Sequence, residues 1–208
     1  MSNGEVFADI ASRYDRLNSI LSLGRDQAWR RTVVGHLPDG RILDLGAGTG
    51  AANEILGLRR IVALDPSPEM LSLNRAADRV VGVGEALPFE NAAFDAVLSA
   101  YVFRNLDSVD ATLEEIHRIL RIGGRAGIVD LARPQGDLQR RIHRFGSAIA
   151  LPLAGASIGA RDEYTYLNRS LDKHPPPEEL LGSSSLRLVD AWRMGPMGFV
   201  WGAILEKD

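Results

Sequence analysis

No cysteine occurs among the 208 residues, which excludes disulfides, thiolate nucleophiles and cysteine metal sites. Charge of one sign is also missing. Lys and Arg number 24 and Asp and Glu 27, a formal net charge of -3, so no basic field points to nucleic acid. No apolar run reaches the ~18 residues of a membrane span. The opening MSNGEVFADIASRYDRLN is polar and charged where a secretory signal has an apolar stretch. His36, His143 and His174 have no carboxylate spacing that suggests a triad or a metal site, and His117 reads as a surface or packing residue of a helix. No metal is expected. The chain is long enough to bury a sizeable core, and a soluble cytoplasmic α/β protein is the expectation.

What is present is alternation. Val6, Phe7, Ile10, Tyr14, Leu17, Ile20 and Leu21 recur at helical spacing, and a second helix is expected over 25–37, before the turn Pro38-Asp39-Gly40. Strands are expected at 41–45, 60–65, 79–83, 94–99 and 125–131, with helices near 50–57, 67–77 and 108–121. Short connections between apolar runs imply βαβ units and a parallel sheet covered on both faces. Gly123-Gly124 is expected to end the last of these helices. After Pro134 the pattern becomes helical but broken, with Pro175-Pro176-Pro177 inside it. Two final strands, near 186–193 and 197–206, joined through Met194-Gly195-Pro196, read as an antiparallel pair on one sheet edge. The domain reading is a single unit, 1–208. It has an N-terminal helical cap at 1–37, a core at 41–134, a helical lid at 135–182 and the closing strands at 186–206.

The stretch ILDLGAGTG, 42–50, carries the first chemistry. In an open α/β sheet, ligands sit outside the carboxyl ends of strands. Gly46 and Gly48 lack a Cβ, which lets a ligand approach the backbone. The next helix, beginning near Thr49-Gly50, offers N–H groups to an anion. Two ligands fit the glycines: a dinucleotide, through G-x-G-x-x-G/A, and S-adenosylmethionine. Asp44 beside the loop favours a cationic ligand and repels a pyrophosphate. Asp65, at the end of IVALD, is placed to accept both ribose hydroxyls of an adenosine, a feature the two ligands share. Pro66 and Met70 are positioned to pack on an adenine face, and Met70 reads equally well as ordinary helix core.

Further along stand EALPFENAAFDAV (85–97) and FRNLDS (103–108). Together with VFADIASRYDRLNSILSLGRDQAWRR (6–31), LDPSPEML (64–71), LEEIHRILRIGGRAGIVDLARP (113–134) and YTYLNRSLDKHP (164–175), they span nearly the whole chain in order. With these segments the chain resembles the S-adenosylmethionine-dependent methyltransferases, and within them the ubiquinone/menaquinone C-methyltransferase family. The resemblance implies a Rossmann-like class I methyltransferase fold, with a seven-stranded, mostly parallel sheet whose last strand is antiparallel. It implies S-adenosylmethionine as methyl donor and S-adenosylhomocysteine as product. The acceptor it implies is a ring carbon of a prenylated benzoquinol or naphthoquinol. Cofactor contacts fall on Tyr14, Asp44, Gly46, Ala47, Gly48, Thr49, Gly50, Asp65, Pro66, Met70, Val83, Gly84, Glu85, Ala100 and Tyr101. The chain departs from the family in two places. Val83 stands where Asp or Asn usually meets the adenine amino group, and Glu85 is one candidate to take over that contact. Ala100-Tyr101-Val102-Phe103 stands where Ser-Phe-Gly usually precedes the Arg-Asn pair.

A quinol carbon becomes nucleophilic when a neighbouring hydroxyl loses its proton, and a cation beside that oxygen lowers its pKa. Arg104 is the candidate cation, and Asn105 a candidate to orient the same oxygen. The bland alternative is an Arg104 that only pairs with a carboxylate such as Asp107. Tyr14 is placed for a cation–π contact with a sulfonium, or for plain core packing. Arg140-Arg141-Ile142-His143-Arg144 followed by an apolar stretch to Gly155 suggests a lid that takes an isoprenoid tail and rests on anionic lipid, or else a packed helix with a solvated arginine face. Peripheral membrane contact is therefore part of the expectation, and an oligomer is compatible with it. Rival readings are an O- or N-methyltransferase on another small apolar molecule and a non-catalytic S-adenosylmethionine-binding subunit. A nicotinamide oxidoreductase is the weakest rival, because it leaves Asp44, EALPF and FRN unexplained.

Overall fold

The computed structural model describes residues 22, 24–134, 136–139, 141, 145, 146, 171, 181, 182 and 184–208. The apolar runs become the central strands. β1 (Arg41–Leu45) and β4 (Phe94–Ala100) are buried through most of their length and β2 (Arg60–Asp65) through Val62–Leu64, as parallel strands covered on both faces must be. With β3 (Asp78–Val81), β5 (Leu120–Leu131), β6 (Arg187–Met194) and β7 (Val200–Glu206) they form one seven-stranded sheet of order β3-β2-β1-β4-β5-β7-β6. β7 pairs antiparallel with both β5 and β6, while β1 to β5 pair in parallel. The closing hairpin thus adds its second strand to the sheet and leaves β6 at the edge.

Alternation along the strands sends side chains to two cores. Ile42, Ala96 and Leu98 pack with Trp29, Val33 and Val34 of α1 (Asp26–Val34). Leu43 and Val97 pack with Leu113, Ile116 and Ile119 on the other side, from α4 (Val109–Ile119). A side chain at Gly127 of β5 would come within 2.5 Å of Val33 Cγ1, so its absence lets α1 lie close against the sheet. That close seat carries Arg30 to the rim of the sheet.

The helices are shorter than their apolar spacing suggests. α2 covers Asn53–Leu56 and α3 Pro68–Leu73. α3 starts under an N-cap from Ser67, whose hydroxyl accepts the Met70 N–H at 3.2 Å. It stops where Asn74 turns extended and bonds the glycine loop instead: its amide donates to Gly48 O at 3.1 Å and its oxygen accepts from Asn53 Nδ2 at 2.8 Å. Gly123-Gly124 does not end a helix. α4 ends at Ile119, Leu120 already pairs with Phe94, and a register shift follows in that ladder between Phe94 and Ala96. Gly123, at φ 76°, donates its N–H to Lys207 O at 2.7 Å, so the glycine pair joins β5 to the end of the chain. Much of the expected cap at 1–37 and most of the lid at 135–182, including the basic cluster apart from the exposed Arg141, lie outside the described residues. Among those described, no helix is long and apolar enough to cross a membrane.

Candidate active site

The strand order reverses between β1 and β4, since β2 and β3 lie on one side of β1 and β5 on the other side of β4. Such a switch point opens a crevice at the carboxyl ends of the strands. A cavity of about 430 Å³ lies there, walled by the loops after β1, β2, β3 and β4.

The loop after β1 supplies Gly46, Ala47, Gly48 and Thr49 to the wall. The glycines have different reasons to be glycine. A Cβ on Gly46 would overlap the Val102 side chain, and the residue sits at φ 71°. A Cβ on Gly50 would meet Asn53 and Asn74, and Gly50 faces a neighbouring cavity beside Asn53 and Glu54. Gly48 is the open one: a Cβ there would find nothing nearer than Met70 Cε at 3.8 Å. The close-approach position that the sequence offered to a ligand is therefore Gly48.

Asp65 ends β2 with its carboxylate on the rim. Oδ2 accepts the Gly48 N–H at 2.9 Å and Oδ1 accepts the Ser67 N–H at 2.9 Å. Each oxygen keeps a further lone pair for a hydroxyl donor. Pro66 and Met70 follow on the wall, and Val83, Gly84 and Glu85 face them from the loop after β3. Val83 is 46% exposed and offers the site an apolar surface. Glu85 is engaged elsewhere, because Oε1 accepts the backbone N–H groups of Asp107 at 2.9 Å and Ser108 at 3.2 Å. It thereby ties the loop after β3 to the start of α4.

Asp44 lies two residues before Gly46 and is only 2% exposed. Burial pushes its carboxyl up to about 7; Arg30 nearby opposes the shift and Asp65 adds to it. Arg30 was not foreseen. It is a buried arginine that lines the cavity, pairs with Asp26 at 2.6 Å, and sets its guanidinium 4.8 Å above the Tyr101 ring. Its signal was an arginine on the apolar side of a helix, between Trp29 and Val33.

The loop after β4 contributes Ala100, Tyr101, Val102 and Asn105 to the wall. Arg104 does not line the cavity. Its guanidinium donates to Asp130 Oδ1 at 2.6 Å, and its backbone N–H donates to Oδ2 at 3.1 Å, in a pair whose side chains are 8% and 1% exposed. The pairing is that of the alternative reading, with Asp130 near the end of β5 as the carboxylate where Asp107 was its example. In the 3-10 turn Phe103–Asn105, consecutive side chains diverge, so Asn105 reaches the cavity and Arg104 is buried against β5. Tyr14 lies outside the described residues.

Asp44 does not itself line the cavity, but the lining residues fit S-adenosylmethionine: the buried Arg30, which acts on Asp44, the bare Gly48, the rim carboxylate of Asp65, and apolar surface from Pro66, Met70 and Val83. The volume falls in the usual range for small-ligand sites, ~300–1,000 Å³. The raised Asp44 pKa gives a pH test. The native state keeps a proton, from about pH 4 to about 7, that the unfolded chain has released. This group's contribution to stability is therefore largest on the acid side, declines through that window and is flat above it. A cationic ligand favours the ionised form, so its affinity runs the other way. Calorimetry should show S-adenosylmethionine binding roughly tenfold tighter at about pH 8 than at about pH 6, and Asp44→Asn should flatten that profile.

Residues 2–184 match the model of the ubiE/COQ5 methyltransferase family. The ubiquinone/menaquinone biosynthesis C-methyltransferase UbiE of Xanthomonas campestris pv. campestris is 36% identical over 201 residues, covering 86% of this chain and 78% of that protein. The protein of the same name from Xylella fastidiosa is 37% identical over 198 residues, covering 85% and 77%. Among solved structures, a SAM-dependent methyltransferase and possible histamine N-methyltransferase from Thermotoga maritima superposes with a TM-score of 0.65 at 18% identity, over 98% of this chain and 99% of that one. Geranyl diphosphate C-methyltransferase from Streptomyces coelicolor A3(2), in complex with Mg2+, geranyl diphosphate and S-adenosyl-L-homocysteine, gives a TM-score of 0.58 at 12% identity, over 87% and 77%. Likeness at such identities establishes the class I methyltransferase fold.

Proposed function

The chain belongs to the ubiE/COQ5 methyltransferase family, and from that premise we propose that it methylates a ring carbon of a demethylated, prenylated quinol. It is a methyltransferase that uses S-adenosylmethionine. When bound, that molecule supplies a methyl group already activated by its sulfonium. The observation that carries the reading is the cavity at the β1/β4 switch point, lined by Arg30, Asp65 and the β4 loop, with the buried Asp44 within electrostatic reach of Arg30 and Asp65.

Each residue then has a task. Asp44 holds the ammonium of the amino-acid end, and Arg30 its carboxylate. Asp65 accepts the ribose hydroxyls, and Gly48 leaves room beside them. Pro66, Met70 and Val83 enclose the adenine between apolar surfaces, which replaces the hydrogen bond that an acid at position 83 would make. Asn105 orients the acceptor's oxygen from the rim. Arg104, fixed to Asp130, acts as a positioning residue that holds the turn bearing Asn105. Apolar walls at Ala100, Val102 and Leu106 keep water from the acceptor ring.

The test is methyl transfer from labelled S-adenosylmethionine to a short-tailed demethylated naphthoquinol held reduced. Label should enter the reduced ring and should not enter the oxidised quinone, which has no hydroxyl to ionise. Transfer to an apolar alcohol or amine with none to the quinol would replace this reading with O- or N-methylation.

A further inference from the structure

We infer that Asp107 recognises the 6-amino group of the adenine, which makes it the residue that selects the methyl donor by its base. This rests on the placement of the adenosine proposed above and adds the group that reads the base.

The amino group of adenine is a donor on one edge of the ring. Pro66, Met70 and Val83 offer apolar surface, which holds a purine by its faces and treats one purine much like another. An amino group enclosed there without an acceptor would give up its bonds to water and gain none. Among the described residues three carboxylates line the cavity, those of Asp65, Glu85 and Asp107. Asp65 accepts the Gly48 and Ser67 N–H groups at the end of β2, where it serves the ribose. Glu85 gives Oε1 to the N–H groups of Asp107 and Ser108. Asp107 is exposed, and among the described residues nothing bonds its carboxylate.

Its place fits the task. The Asp107 N–H donates to Glu85 Oε1 at 2.9 Å, and a Cβ on Gly84 would meet Thr112 of α4 at 3.0 Å. The segment 83–85 therefore lies against the start of α4, and Asp107 stands beside it at the base end of the cavity. Nor does α4 call on this carboxylate for its cap. Ser108 is the N-cap, and its hydroxyl accepts the Ala111 N–H at 3.2 Å. The arginine that follows β4 pairs with Asp130 instead. An ionised acid is the stronger kind of acceptor for an amino N–H, and it repels the oxygen that a 6-oxopurine carries at the same point.

The experiment uses Asp107→Ala, Glu85→Gln and two probes, S-adenosylhomocysteine and its 6-deamino analogue, in which hydrogen stands in place of the amino group. Binding is read by calorimetry. The native protein should prefer S-adenosylhomocysteine by about tenfold or more. Asp107→Ala should bind the two probes within about twofold of each other, with the loss falling on S-adenosylhomocysteine and the affinity for the analogue unchanged. Glu85→Gln should keep the preference. The Tm of Asp107→Ala should stay within about 2 °C of native, because the residue is exposed. A preference retained by Asp107→Ala overturns this inference and leaves the adenosine in its place. A preference lost in Glu85→Gln and kept in Asp107→Ala overturns it in favour of Glu85. An equal loss of both probes in Asp107→Ala also overturns it, because the residue then shapes the cavity and does not read the base. Failure of the native protein to bind either probe overturns the placement of the adenosine and this inference with it.

Discussion

Asp130→Ala should destabilise the fold by about 3–5 kcal/mol, the cost of removing one member of a buried ion pair. Asp130 is 1% exposed and accepts from the Arg104 guanidinium at 2.6 Å, the Arg104 N–H at 3.1 Å and the Leu131 N–H at 2.7 Å. Alanine removes all three and leaves the guanidinium buried without its carboxylate. Asp130→Asn keeps the shape and some of the bonds and should cost less. Denaturant melts would show the alanine variant unfolding at clearly lower midpoint, with Tm lower by roughly 10 °C or more. A loss under about 1 kcal/mol would mean the pair is not what fixes the β4 loop to β5. Methyl transfer should fall further than stability explains, because the turn carrying Asn105 is anchored by the same pair.

The second large effect separates two glycines that stand two residues apart and serve different purposes. Gly46→Ala places a Cβ into the stiff, branched side chain of Val102 at a φ of 71°, so it should lower stability and weaken S-adenosylmethionine binding about 100-fold or more. Gly48→Ala has room in the protein, with Met70 Cε 3.8 Å away, and φ 50° costs it little beyond the left-handed penalty. It should lose about 1–2 kcal/mol of stability, less than Gly46→Ala loses, and still lose binding, because the methyl group occupies the ligand's approach. Thermal melts and calorimetry on both variants check this. Equal binding by Gly48→Ala and the native protein would remove the ligand from that loop. Val102→Ala combined with Gly46→Ala should recover the steric share of the damage and leave the backbone share.

The sheet was readable because its strands are apolar runs between turn residues, and a parallel sheet buried on both faces requires nothing subtler. The position of the cavity was readable for a related reason. Gly46, Gly48 and Asp65 stand at or just beyond the carboxyl ends of β1 and β2, where topology alone fixes which edge of the sheet they occupy. Helix ends were harder. Nothing local marks Asn74 as the stop of α3, since its amide is drawn off by Gly48 and Asn53, which are distant in sequence. Gly123-Gly124 looked like a helix stop because glycine serves both a C-cap and a kinked strand, and only pairing with Lys207 decides between them. Direction within a turn was also hidden. Arg104 and Asn105 are neighbours, and the sequence does not say which one enters the cavity. Arg30 escaped notice because its helix packs on the sheet through Gly127, and that close approach is a tertiary fact. The positive φ of Tyr101, the first residue after β4, likewise has no local mark in the sequence.

The most direct measurement is the position of the transferred carbon. Donor carrying a 13C methyl group is incubated with a reduced, short-tailed demethylated naphthoquinol, and the product is read by NMR. The account predicts a 13C resonance at the chemical shift of an aryl methyl, bonded to a ring carbon, formed at a rate that Asp44→Asn and Asp65→Ala both depress. A methoxy or N-methyl resonance, or turnover unaffected by those two substitutions, would contradict it.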